Sequence, residues 1–173
     1  MSFPKPVIVT LAALSLAIIT LSNTRAAELK VGDTFPDLRQ FGLVGELPDE
    51  LKGKIVLVDF WASWCAPCKL SFPVLNDLSA RFGARGLVVV GISVDESKAA
   101  MREFLKQTAP RFAVVHDAGQ KLVQRVDVAS MPTSFIIDGS GKVRFIHSGF
   151  HGDKTRDDYA REIESLLPTR AAK

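Results

Sequence analysis

The sequence predicts one α/β domain, a central mixed β-sheet flanked by helices on both faces. Three observations predict it. Two near-continuous apolar runs, Lys54 to Phe60 and Leu87 to Val94, read as strands buried on both sides. A helical pattern follows each run. Two further strands, Thr133 to Ile137 and Val143 to Ser148, are joined only by the loop DGSGK. That loop is too short for a crossover, so the two strands form an antiparallel hairpin.

The elements follow in order. Phe35 to Leu43 reads as a short extended segment near an edge, with Pro36 at its start and Gly42 and Gly45 marking turns. The stretch LPDELKGK is a turn, or one turn of helix, ahead of the first core strand. A helix is expected from Cys65 to Phe82, where Phe72, Leu75, Leu78 and Phe82 stand at helical spacing. Pro73 inside it should kink it. Gly83 and Gly86 close it. Next come a helix from Ser97 to Gln107, a short strand from Phe112 to Val115 and a short helix from Lys121 to Val126. Asp153 to Leu167 is the closing amphipathic helix.

The first residues differ in kind. Lys5 lies in a short positive leader, and Val7 to Leu21 carries no charge. Thr24-Arg25-Ala26-Ala27 then supplies small residues at the positions that determine signal-peptide cleavage. A spanning helix wants about 20 apolar residues, and this run is shorter. Residues 1–26 are therefore expected to be a cleaved export signal rather than an uncleaved anchor, and residues 27–173 the folded domain. With 173 residues, 47% of them hydrophobic, the chain has material for one sizeable core. Lys5 and Arg25 account for two of its three net positive charges, so the domain is nearly neutral and offers no footprint for nucleic acid.

The only two cysteines, Cys65 and Cys68, lie in DFWASWCAPCK. A structural disulfide across two residues closes almost no loop and gains little from restricting the unfolded chain. Zinc wants four ligands, and no second cysteine pair or close histidine pair accompanies this one. Redox chemistry fits best, because it needs one low-pKa thiolate and a second thiol near enough to resolve a mixed disulfide. Cys65 should stand at a helix N-terminus, where free amides and the macrodipole favour an anion. Pro67 falls in the first turn, where proline is tolerated, and Cys68 one turn behind Cys65. Lys69 adds a positive charge nearby. Asp59 ends a strand expected to be buried on both faces, which is costly unless the carboxylate is paired or protonated. Otherwise it caps a turn at the surface.

VDFWASWCAPCK, the helix-interior Pro73 and MPTSFIID together resemble the thioredoxin superfamily, and more closely its exported TlpA/ResA-like thiol–disulfide oxidoreductases. The resemblance covers the whole mature chain. It implies a thioredoxin-like fold with an N-terminal extension and a central insertion between Asp95 and Asp117. It also implies roles: Cys65 attacks, Cys68 resolves, and Asp59 accepts the proton of Cys68 through water. Pro132 would be a cis-proline facing the disulfide, with Met131 offering its backbone to an extended substrate and Trp64 and Pro67 lining the same surface. Two residues depart from the pattern. Ser71 stands where many exported relatives have a glutamate, and Gly91 where thioredoxins commonly have a lysine beside the aspartate.

The resemblance further implies a periplasmic reductase of oxidised cysteine-containing proteins, acting as a monomer without a cofactor beyond its own Cys65–Cys68 disulfide. The haem-attachment pair of an apocytochrome c and a copper-site assembly protein are the expected substrates. Since the compartment is oxidising, a membrane thiol donor of the DsbD or CcdA type would re-reduce the pair. Two rival readings use the same fold. A copper metallochaperone usually spaces its cysteines by three residues and adds a histidine. A peroxiredoxin wants a threonine shortly before its reactive cysteine, where Ala62-Ser63-Trp64 stand.

Overall fold

The computed structural model describes residues 28–168. The leader expected at residues 1–26 lies outside them. Among the described residues no helix is long and apolar enough to cross a membrane.

The central strand is β1 (Ile55–Trp61), every residue of which is buried. It leads into α1 (Ala66–Phe82), then β2 (Leu87–Ser93), α2 (Lys98–Thr108), β3 (Ala113–His116) and α3 (Lys121–Val126). The hairpin β4 (Thr133–Ile137) and β5 (Val143–Ser148) follows, and α4 (Asp153–Leu166) is the last element. The five strands lie in the order β3-β2-β1-β4-β5. β1, β2 and β3 run parallel, while β4 is antiparallel to both β1 and β5. The mixed sheet is the expected one.

Alternation along β1 sorts the core into two layers. Asp59 and Trp61 point to the face covered by α1, α2 and α4. There the Trp61 indole packs on Phe72 of α1 and Phe104 of α2, with ring centroids 5.1 and 4.6 Å away. Val56, Val58 and Phe60 point to the other face, where Phe60 meets Phe135 and Phe135 meets Phe35 of the N-terminal extension.

That extension departs from expectation. Instead of one extended segment, Leu38–Phe41 form a 3-10 turn. The cause is local: the Asp37 carboxylate accepts the Arg39 amide at 3.0 Å, and Gly42 ends the turn at φ 65°. Only its ends are extended. Thr34 bridges to Lys142 at the β5 edge, and Val44 exchanges two 2.9 Å hydrogen bonds with His116 at the β3 edge. The segment thus straps across the face remote from α1 and covers both sheet edges. Gly45 is required beside the second bridge, since a Cβ there would lie 2.9 Å from the Val114 carbonyl oxygen. LPDELKGK forms a turn without helix. α1 runs on through Pro73, whose missing N–H leaves the Lys69 carbonyl without its helical donor.

Candidate active site

The β1-α1 junction presents the cysteines. Cys65 is the N-cap of α1, extended at φ −90° and ψ 103°, and its Sγ accepts the Cys68 amide at 3.2 Å. Pro67 occupies the first turn, where no backbone donor is lost. The two cysteines form a disulfide with Cα atoms 5.3 Å apart. Cys65 keeps 5% of its surface and Cys68 none, so the pair opens to solvent on the Cys65 side. Trp64 beside it is 72% exposed. Ser71, at the first departure from the family pattern, is buried and donates its hydroxyl to the Cys68 carbonyl at 2.9 Å. It braces the first turn and puts no carboxylate there.

The segment before β4 comes to the same end of the sheet, because Thr133 pairs with Phe60 near the end of β1. The Met131–Pro132 peptide is cis, as expected. A groove of about 660 Å³ flanks the motif, walled by Trp64, Met131, Val128, Glu96 and Asp127. A smaller apolar pocket of about 300 Å³ is lined by Val56 and Val58 and so lies across the sheet from the cysteines.

Asp59 is fully buried on the α1 side. Its Oδ1 accepts the Ser134 hydroxyl at 2.5 Å, and the Ser134 oxygen lies 2.7 Å from the Tyr159 hydroxyl. Its Oδ2 has no hydrogen-bond partner among the described residues. Burial pushes the carboxyl up to about 7, and the Ser134 hydrogen bond pulls the other way. Gly91 stands opposite it on β2. A Cβ at Gly91 would come within 3.1 Å of the Phe112 ring and 3.2 Å of Trp61 Nε1. The indole and the phenyl ring fill the place of the absent lysine. No cation balances Asp59 from β2.

A second polar cluster, around Asp95, was not foreseen. The buried Asp95 carboxylate accepts the Ser63 amide at 3.0 and 3.1 Å, the Ser63 hydroxyl at 2.6 Å and the Ser93 hydroxyl at 2.8 Å. It pins the loop two residues before Cys65 to the end of β2. His116 Nε2 lies 2.6 Å from the Asp95 carbonyl oxygen and ties β3 to the same spot. The sequence signal was faint: an aspartate just past an apolar strand, with its partner 32 positions earlier. Among the described residues no group of three or more His, Cys, Asp or Glu side chains is arranged to hold a metal ion.

Comparison with known proteins agrees with this geometry. The chain is 31% identical over 163 residues to the thiol–disulfide oxidoreductase ResA of Geobacillus kaustophilus, covering 93% of this chain and 92% of that one. It is 37% identical over 119 residues to ResA of Bacillus subtilis, covering 69% and 66%. Among solved structures, one from Chlorobium tepidum described as a thiol:disulfide interchange protein DsbE superposes with a TM-score of 0.75. It is 35% identical and covers 82% of this chain and 100% of that one. The Redoxin family model matches residues 30–163. The chain therefore belongs to the Redoxin family, with the thioredoxin-like fold and paired cysteines of a ResA-like thiol–disulfide oxidoreductase.

Proposed function

We propose that this protein is an exported, periplasmic reductase of protein disulfides. The carrying observation is a buried carboxylate, Asp59, with one oxygen free and its ionisation brought near neutrality, on the face of the sheet that α1 covers. A reductase meets its substrate as a dithiol, and its inner thiol must lose a proton inside the protein before it can attack. Asp59 suits that task through water.

In the proposed cycle the Cys65 thiolate, favoured by the Cys68 amide and the start of α1, attacks one sulfur of a substrate disulfide. The other substrate sulfur leaves as a thiolate. Cys68 then gives its proton to Asp59 and attacks Cys65. The Cys65–substrate bond breaks, the Cys65–Cys68 bond forms, and the second substrate thiolate leaves. Two electrons pass from the enzyme dithiol to the substrate, whose thiolates take up the protons released. Trp64, Pro67, Met131 and Pro132 would line the substrate surface. Substrates would be oxidised cysteine pairs, such as the haem-attachment pair of an apocytochrome c or a copper-site assembly protein. A membrane donor of the DsbD or CcdA type would restore the dithiol, and the enzyme would act as a monomer.

Equilibration of the pair with a glutathione redox buffer tests the direction. A reductase should poise near the thioredoxin value of about −270 mV. A potential near about −120 mV, the value of a dedicated oxidant, would overturn the assignment.

A further inference from the structure

Asp59, Ser134 and Tyr159 form a hydrogen-bonded row across three elements. Asp59 on β1 faces Ser134 on β4 in register, and Tyr159 reaches down from α4. All three are 0 or 1% exposed. The proton order in this row is determined by chemistry. An ionised carboxylate only accepts, so the single Ser134 proton goes to Asp59 Oδ1. The Tyr159 proton must then go to the Ser134 oxygen, which polarises the serine as a donor. Oδ1 already accepts the serine proton, and Oδ2, with no partner among the described residues, stands open to another.

We infer that Ser134 and Tyr159 are positioning residues of the redox reaction, holding Asp59 by Oδ1 so that Oδ2 alone takes the proton of Cys68. This rests on the reading of Asp59 as the proton acceptor.

The surroundings support it. Cys68 belongs to the same layer: it lies one turn before Phe72 on α1, and Phe72 packs on Trp61, two residues beyond Asp59. β2 offers only Gly91 opposite Asp59. From β5, His147 sets its ring edge against Tyr159, centroids 4.8 Å apart, and its Nε2 lies 2.7 Å from Glu162 Oε2 of α4. Among the described residues, these contacts place the ionisable groups Cys68, Tyr159, His147 and Glu162 in the layer around Asp59. Burial, and then the Asp59 charge, pushes the Tyr159 phenol up, so it stays a donor throughout the working range. Ser134 matters because, among the described residues, it is the hydrogen-bond partner that stabilises the charged form of Asp59.

Two readings on the full chain test this. The first is a carbon-13 titration of the Asp59 carboxyl in the disulfide form, where the cysteines do not titrate. The second is the pH profile of single-turnover resolution of a Cys65–glutathione mixed disulfide by Cys68. Ser134→Ala should raise the Asp59 midpoint by about one pH unit or more. Tyr159→Phe should raise it less, since it acts through Ser134. The acid limb of the rate profile should move by the same amount in each variant. Ser134→Thr, which keeps the hydroxyl, should restore both readings and remains informative if the alanine variant fails to fold. An Asp59→Asn background should lose this limb, and any limb that remains there should not move with Ser134→Ala, which separates Asp59 from His147. An unmoved Asp59 midpoint in Ser134→Ala overturns the positioning role itself. A midpoint that moves while the rate limb stays still shows that Asp59 is not the acceptor, and overturns the reading beneath it.

Discussion

Replacing Asp59 by asparagine should stabilise the protein at alkaline pH and slow it as a catalyst. Burial raises the carboxyl from 3.8 to about 7, so ionising it in the fold costs roughly 4 kcal/mol more than in the unfolded chain. Below about pH 4 the group is neutral in both states and the penalty is absent. Between pH 4 and 7 the unfolded chain ionises first, the folded state holds the extra proton, and stability falls as pH rises. Above pH 7 the penalty is constant. Asparagine abolishes it but places an amide N–H₂ where Oδ2 now has no partner, at a cost of about 1–3 kcal/mol. The net gain at pH 8 to 9 should therefore be about 1–3 kcal/mol, turning to a loss near pH 4. Urea unfolding of the disulfide form from pH 4 to 9 reads this directly, since the cysteines do not titrate and other groups cancel between the two proteins. A stability difference that does not vary with pH, or a loss at pH 8, would refute the reasoning. The same variant should resolve mixed disulfides about 10²-fold more slowly.

Brief alkylation of the reduced protein at neutral pH should label Cys65 ahead of Cys68, which is wholly covered. In Cys68→Ala the mixed disulfide with substrate should accumulate; preferential labelling of Cys68 would reverse the two roles. Asp95→Ala should lower the urea midpoint by the equivalent of about 1–3 kcal/mol, because the Ser63 amide and two serine hydroxyls lose their acceptor. Glu96→Ala, one residue on and exposed, should change it little, and equal effects would show that the Asp95 cluster does not hold the loop.

The parts of this fold legible in sequence were those determined by local pattern. The apolar run of β1, the bare five-residue link between β4 and β5, and the proline in the first turn of α1 each state their geometry within a few residues. Phe35 to Leu43 misled because a single side chain, Asp37, supplied a cap that favours a tight helical turn over an extended strand. The site divides the same way. The cysteine pair and Asp59 stand in one short motif, and the Met131–Pro132 segment in another. The clusters that hold them do not. Ser134 meets Asp59 across 75 residues and Tyr159 meets Ser134 across 25, contacts that only the finished sheet and α4 create. Gly91 reads in sequence as a missing lysine. In three dimensions it is a contact surface for Trp61 and Phe112.

The strap also determines at which pole of the molecule the described chain begins. Its first described residues pair at the start of β5, where the Gly32 amide meets the Val143 carbonyl. Val143 lies beside Ile137 at the far end of β4, whereas the cysteines follow the opposite end of β1. A seven-residue strand is about 20 Å long, so the start of the described chain and the disulfide sit at opposite poles. Any tether joined at that pole, whether a lipid-embedded segment or a chemical linker to an electrode, would leave the cysteines pointing outward and free to meet a large partner.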